Sequence, residues 1–136
     1  MDYRSKNHSK YLILYHIIFF VCKYRKKLLI TLGDEIKNII FDIQKKYSDE
    51  FEIIEMEVDK DHIHILIETN PKTNLLKLIK NLKQITTYRI WRQNNNHLLL
   101  SKYFWLEKTF WSDGYFCCTI GNVSKSIIEK YIQNQG

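Results

Sequence analysis

The sequence is poor in the residues that break a chain or cross-link it. Among its 136 residues there are four glycines, one proline and three cysteines. So little glycine and proline excludes a collagen-like or linker-rich chain. Cys22, Cys117 and Cys118 have no metal-ligand spacing, and two adjacent cysteines do not easily bridge. The odd count argues against a disulfide framework, and a reducing interior is the simplest reading. No internal repeat with a period of about 20 to 50 residues is present, which excludes a solenoid. The most apolar run, Tyr11 to Val21, is too short to span a bilayer. It also contains His16, lacks a small-residue cleavage site and continues into Lys23-Tyr24-Arg25-Lys26-Lys27, so it does not read as a signal peptide. The expectation is a soluble, cytoplasmic protein with no membrane association, forming one domain over residues 1–136.

What the chain does contain is hydrophobic and basic. Hydrophobic residues make up 45% and aromatic ones 14%, enough for a globular core rather than a disordered tail. The formal net charge of +6 favours an anionic partner without requiring one.

Periodicity orders the elements. Tyr11 to Val21 is aromatic, Ile-rich and free of breakers, as expected of a central strand buried on both faces. Leu32, Ile36, Ile39, Ile40, Ile43 and Tyr47 then recur at helical spacing, with Asp34 and Glu35 suited to a first turn. Phe51 to Val58 and His62 to Thr69 read as strands joined by the turn Asp59-Lys60-Asp61. After Asn70-Pro71, Thr73 or Asn74 can cap a long helix with Leu75, Leu76, Ile79, Leu82, Ile85 and Ile90 facing inward. Asn94 to Thr109 is the least regular part, a last strand covers about 114–120, and a terminal helix covers about 124–135. The order β-α-β-β-α-β-α is an α+β, ferredoxin-like or RRM-like topology. It predicts an antiparallel sheet with helices on one face and one added C-terminal helix.

The most informative stretch is Asp61-His62-Ile63-His64-Ile65-Leu66-Ile67-Glu68. Alternation along a strand puts Ile63, Ile65 and Ile67 on one face and His62 and His64 on the other. Two imidazoles about 7 Å apart along one face can both lean toward a single divalent ion. A third ligand must then come from elsewhere in the fold. The bland alternative is a pair of histidines on a half-exposed sheet face. On the terminal helix, Ile128, Tyr131 and Gln135 share a stripe. Taken alone, Tyr131 reads equally as a packing residue and Gln135 as a solvated end residue.

Four segments together resemble the single-tyrosine HUH-type transposases of a small bacterial insertion-sequence family, the IS200-like transposases. They are Tyr15-His16-Ile17-Ile18 followed by Lys23-Tyr24-Arg25; Asp61-His62-Ile63-His64; Trp111-Ser112-Asp113-Gly114-Tyr115-Phe116; and Tyr131-Ile132-Gln133-Asn134-Gln135. They occur in family order over nearly the whole chain. The resemblance implies that His62 and His64 bind a divalent metal, Mg²⁺ or Mn²⁺, that Gln135 completes the site and that Tyr131 is the nucleophile. It further implies cleavage and rejoining of single-stranded DNA at hairpin-marked transposon ends through a 5′-phosphotyrosine, in a bacterial or archaeal cytoplasm. A homodimer is implied as well, with each tyrosine helix serving either its own or its partner's active site.

One departure stands out: the family has a Gly and a pair of Ser after the Leu-Lys of the long helix, where this chain has Gln84-Ile85-Thr86-Thr87. For DNA contacts, Lys23, Arg25, Lys26 and Lys27 surround Tyr24, a stacking ring among phosphate-binding cations. Lys77, Lys80 and Lys83, with Arg89 and Arg92, extend a basic surface along the long helix; any single lysine also reads as a solvated face. Three other readings remain at this point. One is a domesticated HUH endonuclease acting on host repeats, another a non-catalytic RRM-like nucleic-acid binder, and the third a metal-dependent phosphoesterase. The last needs more carboxylate or histidine ligands than this chain clusters.

Overall fold

The computed structural model describes residues 4–6, 9–11, 13–21, 27–104 and 108–119. A short hairpin comes first, β1 (Arg4–Lys6) pairing antiparallel with β2 (Ser9–Tyr11). The main sheet is built from β3 (Ile13–Val21), β4 (Phe51–Val58), β5 (His62–Thr69) and β6 (Trp111–Thr119), ordered β4-β5-β3-β6 with every pair antiparallel. Helices α1 (Leu28–Lys46) and α2 (Leu75–Arg92) connect β3 to β4 and β5 to β6, and the short α3 (Asn96–Leu100) follows α2. The first and third strands of the sheet thus lie at its centre, which is the ferredoxin-like arrangement expected from the element order. The expected terminal helix lies outside the described residues.

Side-chain alternation divides the sheet into two faces. Ile17 and Phe19 of β3 and Ile63, Ile65 and Ile67 of β5 are all fully buried, against Ile36, Ile39 and Ile40 of α1 and Ile79 and Leu82 of α2. Both helices therefore pack on this face. The opposite face carries Leu14, His16 and Ile18 of β3, His62, His64, Leu66 and Glu68 of β5, and Glu55 and Glu57 of β4, as the strand registers require. Leu14, Ile18 and Leu66 are buried too, although they are not part of the core beneath the helices. The breaker-free composition of β3 thus corresponds to a strand with apolar side chains buried on both sides.

The central strand expected from Tyr11 begins at Ile13, because Tyr11 belongs to β2 and pairs with Arg4; three further boundaries also differ from expectation. Helix α1 begins at Leu28, not Leu32, because Leu28 and Leu29 are themselves buried and add a turn to the inward stripe. Asp34 and Glu35 consequently sit beyond the first turn, which holds no acidic residue. Glu35 has a different partner: its carboxylate accepts hydrogen bonds from the side-chain amides of Gln93 (2.9 Å), Asn94 (3.0 Å) and Asn96. This carboxylate fastens the exit of α2, where Asn94 and Asn95 take left-handed conformations, φ 52° and 57°, that asparagine tolerates better than most residues. Second, part of the irregular stretch forms α3. Third, β6 starts at Trp111, which pairs with Val21 beyond a β-bulge. At the start of α2 it is Asn74 that caps, its side chain accepting from the backbone N–H of Lys77 at 3.1 Å.

At Gly33, α1 comes close to Val58 of β4. A Cβ at this position would stand 2.8 Å from Val58 Cγ1, on a β-branched side chain with little rotamer freedom. Gly33→Ala is expected to lower stability by about 1 kcal/mol. Overpacking of about 1–3 kcal/mol outweighs the gain in helix propensity of about 1 kcal/mol. A urea midpoint equal to or above that of the wild type counts against this contact.

Candidate metal and DNA-processing site

The sheet brings His62 and His64 to one face of a strand hydrogen-bonded on both sides, with Ile18 opposite His64 and Phe20 opposite His62 on β3. Across the other ladder Glu57 lies opposite His64. His62 is buried, and its Nδ1 lies 2.9 Å from Asp61 Oδ1. With the Nδ1 proton donated to that carboxylate, the lone pair of His62 is on Nε2. An adjacent carboxylate that fixes tautomer and ring plane is a common partner of metal-ligating histidine.

His64 is half-buried and contacts a residue that sequence reasoning did not single out as a site residue. Its Nε2 lies 2.7 Å from Nδ1 of His16 on β3. The ring planes are 24° apart and the centroids 4.9 Å apart. That separation is close to the N···N distance plus the two ring radii, so the rings meet edge to edge rather than face on face. His16 was legible only as part of Tyr15-His16-Ile17-Ile18; its diagonal approach to His64 depends on strand register. Burial holds the pKa of His64 below its ordinary value of 6.5, and neighbouring His16 lowers it further while Glu57 opposes the shift. A neutral imidazole is the form that ligates metals.

This shift has a measurable consequence. Because the folded pKa is depressed, the unfolded chain binds a proton at His64 more readily than the folded one. The stability this contributes is complete above pH 6.5 and is lost as pH falls from there through the lower folded pKa. Urea midpoints of the metal-free protein should therefore decline across this window with a smaller slope in His64→Gln. Identical slopes exclude His64 as a source.

Two imidazoles and an amide are a donor set that accepts several divalent ions. Among the described residues no three His, Cys, Asp or Glu side chains are grouped to hold a metal. Gln135 and Tyr131, assigned to that role and to the nucleophile by resemblance, lie outside the described residues. Cys117 and Cys118 are free thiols, both shifted upward in pKa by burial.

Of the expected DNA contacts, Lys23, Tyr24, Arg25 and Lys26 lie outside the described residues, while Lys27, Lys77 and Lys80 are exposed. Lys83 is engaged within the fold. Its Nζ donates to the carbonyls of Ser112 (2.8 Å) and Asp113 (3.1 Å) and approaches that of Gly114 (3.4 Å), tying α2 to the start of β6. Arg89 pairs with Asp42 at 3.0 Å, and Arg92 lies 3.7 Å over the ring of Tyr88. Thr86 and Thr87 on α2 also have partners. Thr86 Oγ1 donates to Leu82 O at 2.6 Å and accepts from Trp111 Nε1 at 2.8 Å, while Thr87 Oγ1 donates to Lys83 O at 2.7 Å. Since α2 packs opposite the histidines, its cations and the histidine pair occupy opposite sides of the sheet.

No described helix is long and apolar enough to cross a membrane. The chain is 30% identical over 126 residues to the ISDra2 transposase TnpA of Deinococcus radiodurans, covering 92% of this chain and 85% of that protein. It is 29% identical over 137 residues to the transposase of insertion sequence element IS200 from Salmonella typhimurium, covering 98% of this chain and 84% of the relative. Among solved structures, a putative transposase from Deinococcus radiodurans superposes with a TM-score of 0.81 at 26% identity, over 97% of both chains. A tyrosine transposase bound to a REP hairpin shares the fold, with a TM-score of 0.57 at 14% identity over 96% of this chain and 68% of that one. The family model "Transposase IS200 like" matches residues 9–135. The histidine pair stands on a sheet of the same architecture as these proteins, and the chain belongs to the IS200-like transposase family.

Proposed function

We propose that this transposase cleaves and rejoins single-stranded DNA at hairpin-marked ends, through a 5′-phosphotyrosine on Tyr131 assisted by Mg²⁺ or Mn²⁺. The observation that carries the reading is the histidine pair. His62, oriented by Asp61, and a half-buried His64 whose pKa is lowered by burial share one face of a central strand. An ordinary exposed pair has no need of that carboxylate. When bound, the ion polarises a phosphate oxygen and stabilises charge that develops there. His62, His64 and Gln135 would hold it.

Tyr131 supplies the nucleophile. Its oxygen bonds to phosphorus as the P–O3′ bond breaks; the phenolic proton leaves to solvent, and the departing 3′ oxygen takes up a proton from solvent. The products are a phosphotyrosine joined to the 5′ end and a free 3′-hydroxyl. A free phenol, with a pKa near 10, attacks poorly at neutral pH, which is why the ion is needed. The covalent bond preserves the phosphodiester energy, so a second DNA end is joined without ATP. The exposed cations Lys27, Lys77 and Lys80 supply phosphate contacts, and the sequence adds Lys23, Tyr24, Arg25 and Lys26 as further candidates. The active particle is a homodimer, because one small chain offers little surface for a hairpin and a scissile strand together.

The test is covalent capture. The protein is incubated with single-stranded DNA from the flanks of its own gene, carrying hairpins and a 3′ label, with Mn²⁺, and run on a denaturing gel. A labelled protein–DNA band that needs the divalent ion is expected. Binding without any adduct favours an RRM-like binding module instead.

A further inference from the structure

We propose that His16 is a positioning residue of the metal site, accepting a hydrogen bond from Nε2–H of His64 so that the Nδ1 lone pair of His64 is presented to the ion. The inference rests on the metal reading above and goes beyond its ligand set. Strand register supplies the first support. On β3, His16 is level with Leu66 of β5, Ile18 with His64, and Phe20 with His62. His16 and His62 therefore flank His64 on opposite sides along the strand. An ion shared by His62 and His64 would lie toward His62, with His16 behind His64 and in contact with its Nε2.

The ring geometry agrees. With Nδ1 of His16 2.7 Å from Nε2 of His64, planes 24° apart and centroids 4.9 Å apart, the two nitrogens point at each other along one line. A proton fits between them. Two ligands of a common ion would instead aim their lone pairs at a third point to the side, so the observed pose is that of an imidazole and its hydrogen-bond partner. His62 has the matching device in Asp61. Each histidine thus has an outer partner that selects which nitrogen is protonated and which carries the lone pair, as ligating histidines usually do. His16 replaces the more usual carboxylate or carbonyl with a neutral acceptor from the neighbouring strand.

The experiment measures Mn²⁺ affinity, without DNA, for wild type, His62→Ala, His16→Leu and His16→Asn, with circular dichroism as the check on folding. Loss of an outer partner is expected to weaken binding about 10- to 100-fold in His16→Leu. His16→Asn should restore most of it, because asparagine places an acceptor near where Nδ1 of histidine stands. A second readout requires no variant. Nitrogen-15 spectra of the wild-type rings should show His64 protonated at Nε2, and added Zn²⁺ should shift Nδ1 while leaving the Nε2 proton in place. Wild-type affinity in a folded His16→Leu, or metal on Nε2 of His64, overturns the proposal while leaving the metal site intact. No binding by the wild type, or undiminished binding by His62→Ala, overturns the metal reading and this proposal with it.

Discussion

Tyr131→Phe is expected to bind hairpin DNA as the wild type does and to form no covalent adduct with it. The substitution deletes one hydroxyl and keeps the ring, so apolar packing of the side chain is unchanged. Under the proposed mechanism the nucleophile goes with the hydroxyl. The loss should be complete within the sensitivity of a labelled gel, since water attacking the same phosphate leaves nothing attached to protein. Other phenols are available at Tyr24, Tyr88 and Tyr115, but none is followed by a glutamine at helical reach. Tyr88 and Tyr115 are further constrained by the fold. Tyr88 lies on α2, on the sheet side away from the histidines, and Tyr115 packs against the core beneath the helices. A labelled band that survives in Tyr131→Phe would assign the nucleophile to another residue.

A comparable loss is expected from His64→Ala, for a different reason. Here the tyrosine remains and the group that stabilises charge on the phosphate is weakened. Removing one well-placed electrostatic contact costs about 100- to 1,000-fold in rate in other enzymes, and a lost ligand belongs at the upper end. The fold should survive: His64 is half-buried, and the core on the other face of β5 does not involve it. Gln135→Ala should cost less, because water partly replaces a neutral amide. Single-turnover cleavage across a Mn²⁺ titration checks both. Wild-type cleavage by a folded His64→Ala removes the histidine pair from the mechanism.

The fold was legible where periodicity and breakers agree. The runs Phe51 to Val58 and His62 to Thr69 became β4 and β5 at their expected limits, because Asp59-Lys60-Asp61 leaves the chain no option but a tight return. Helix limits were less legible. Leu28 and Leu29 follow a basic run that resembles a loop, and only packing shows that both are buried. Glu35 looked like a helix-start residue because local sequence cannot show three amides arriving from residues 93–96. The same limit explains the site. His62 and His64 lie two residues apart and announce themselves by spacing. His16 is 48 positions from His64, and their contact follows from a register that no local pattern encodes. For Lys83, which reads as a phosphate contact, the fold adds what the sequence could not show: its Nζ donates to carbonyls of β6.

The position of β5 between β3 and β4 has a consequence for how the site fails. Its amides are bonded into two ladders, and its apolar side chains are fully buried on the helix side. Strands of this kind open only when the whole domain opens, so the backbone carrying the two imidazoles has the protection of global unfolding. Hydrogen exchange at Ile63 and Ile65 should be among the slowest in the protein. Heating should not produce a folded chain with a disordered histidine pair: capacity for metal and native structure should disappear in a single transition, at one temperature.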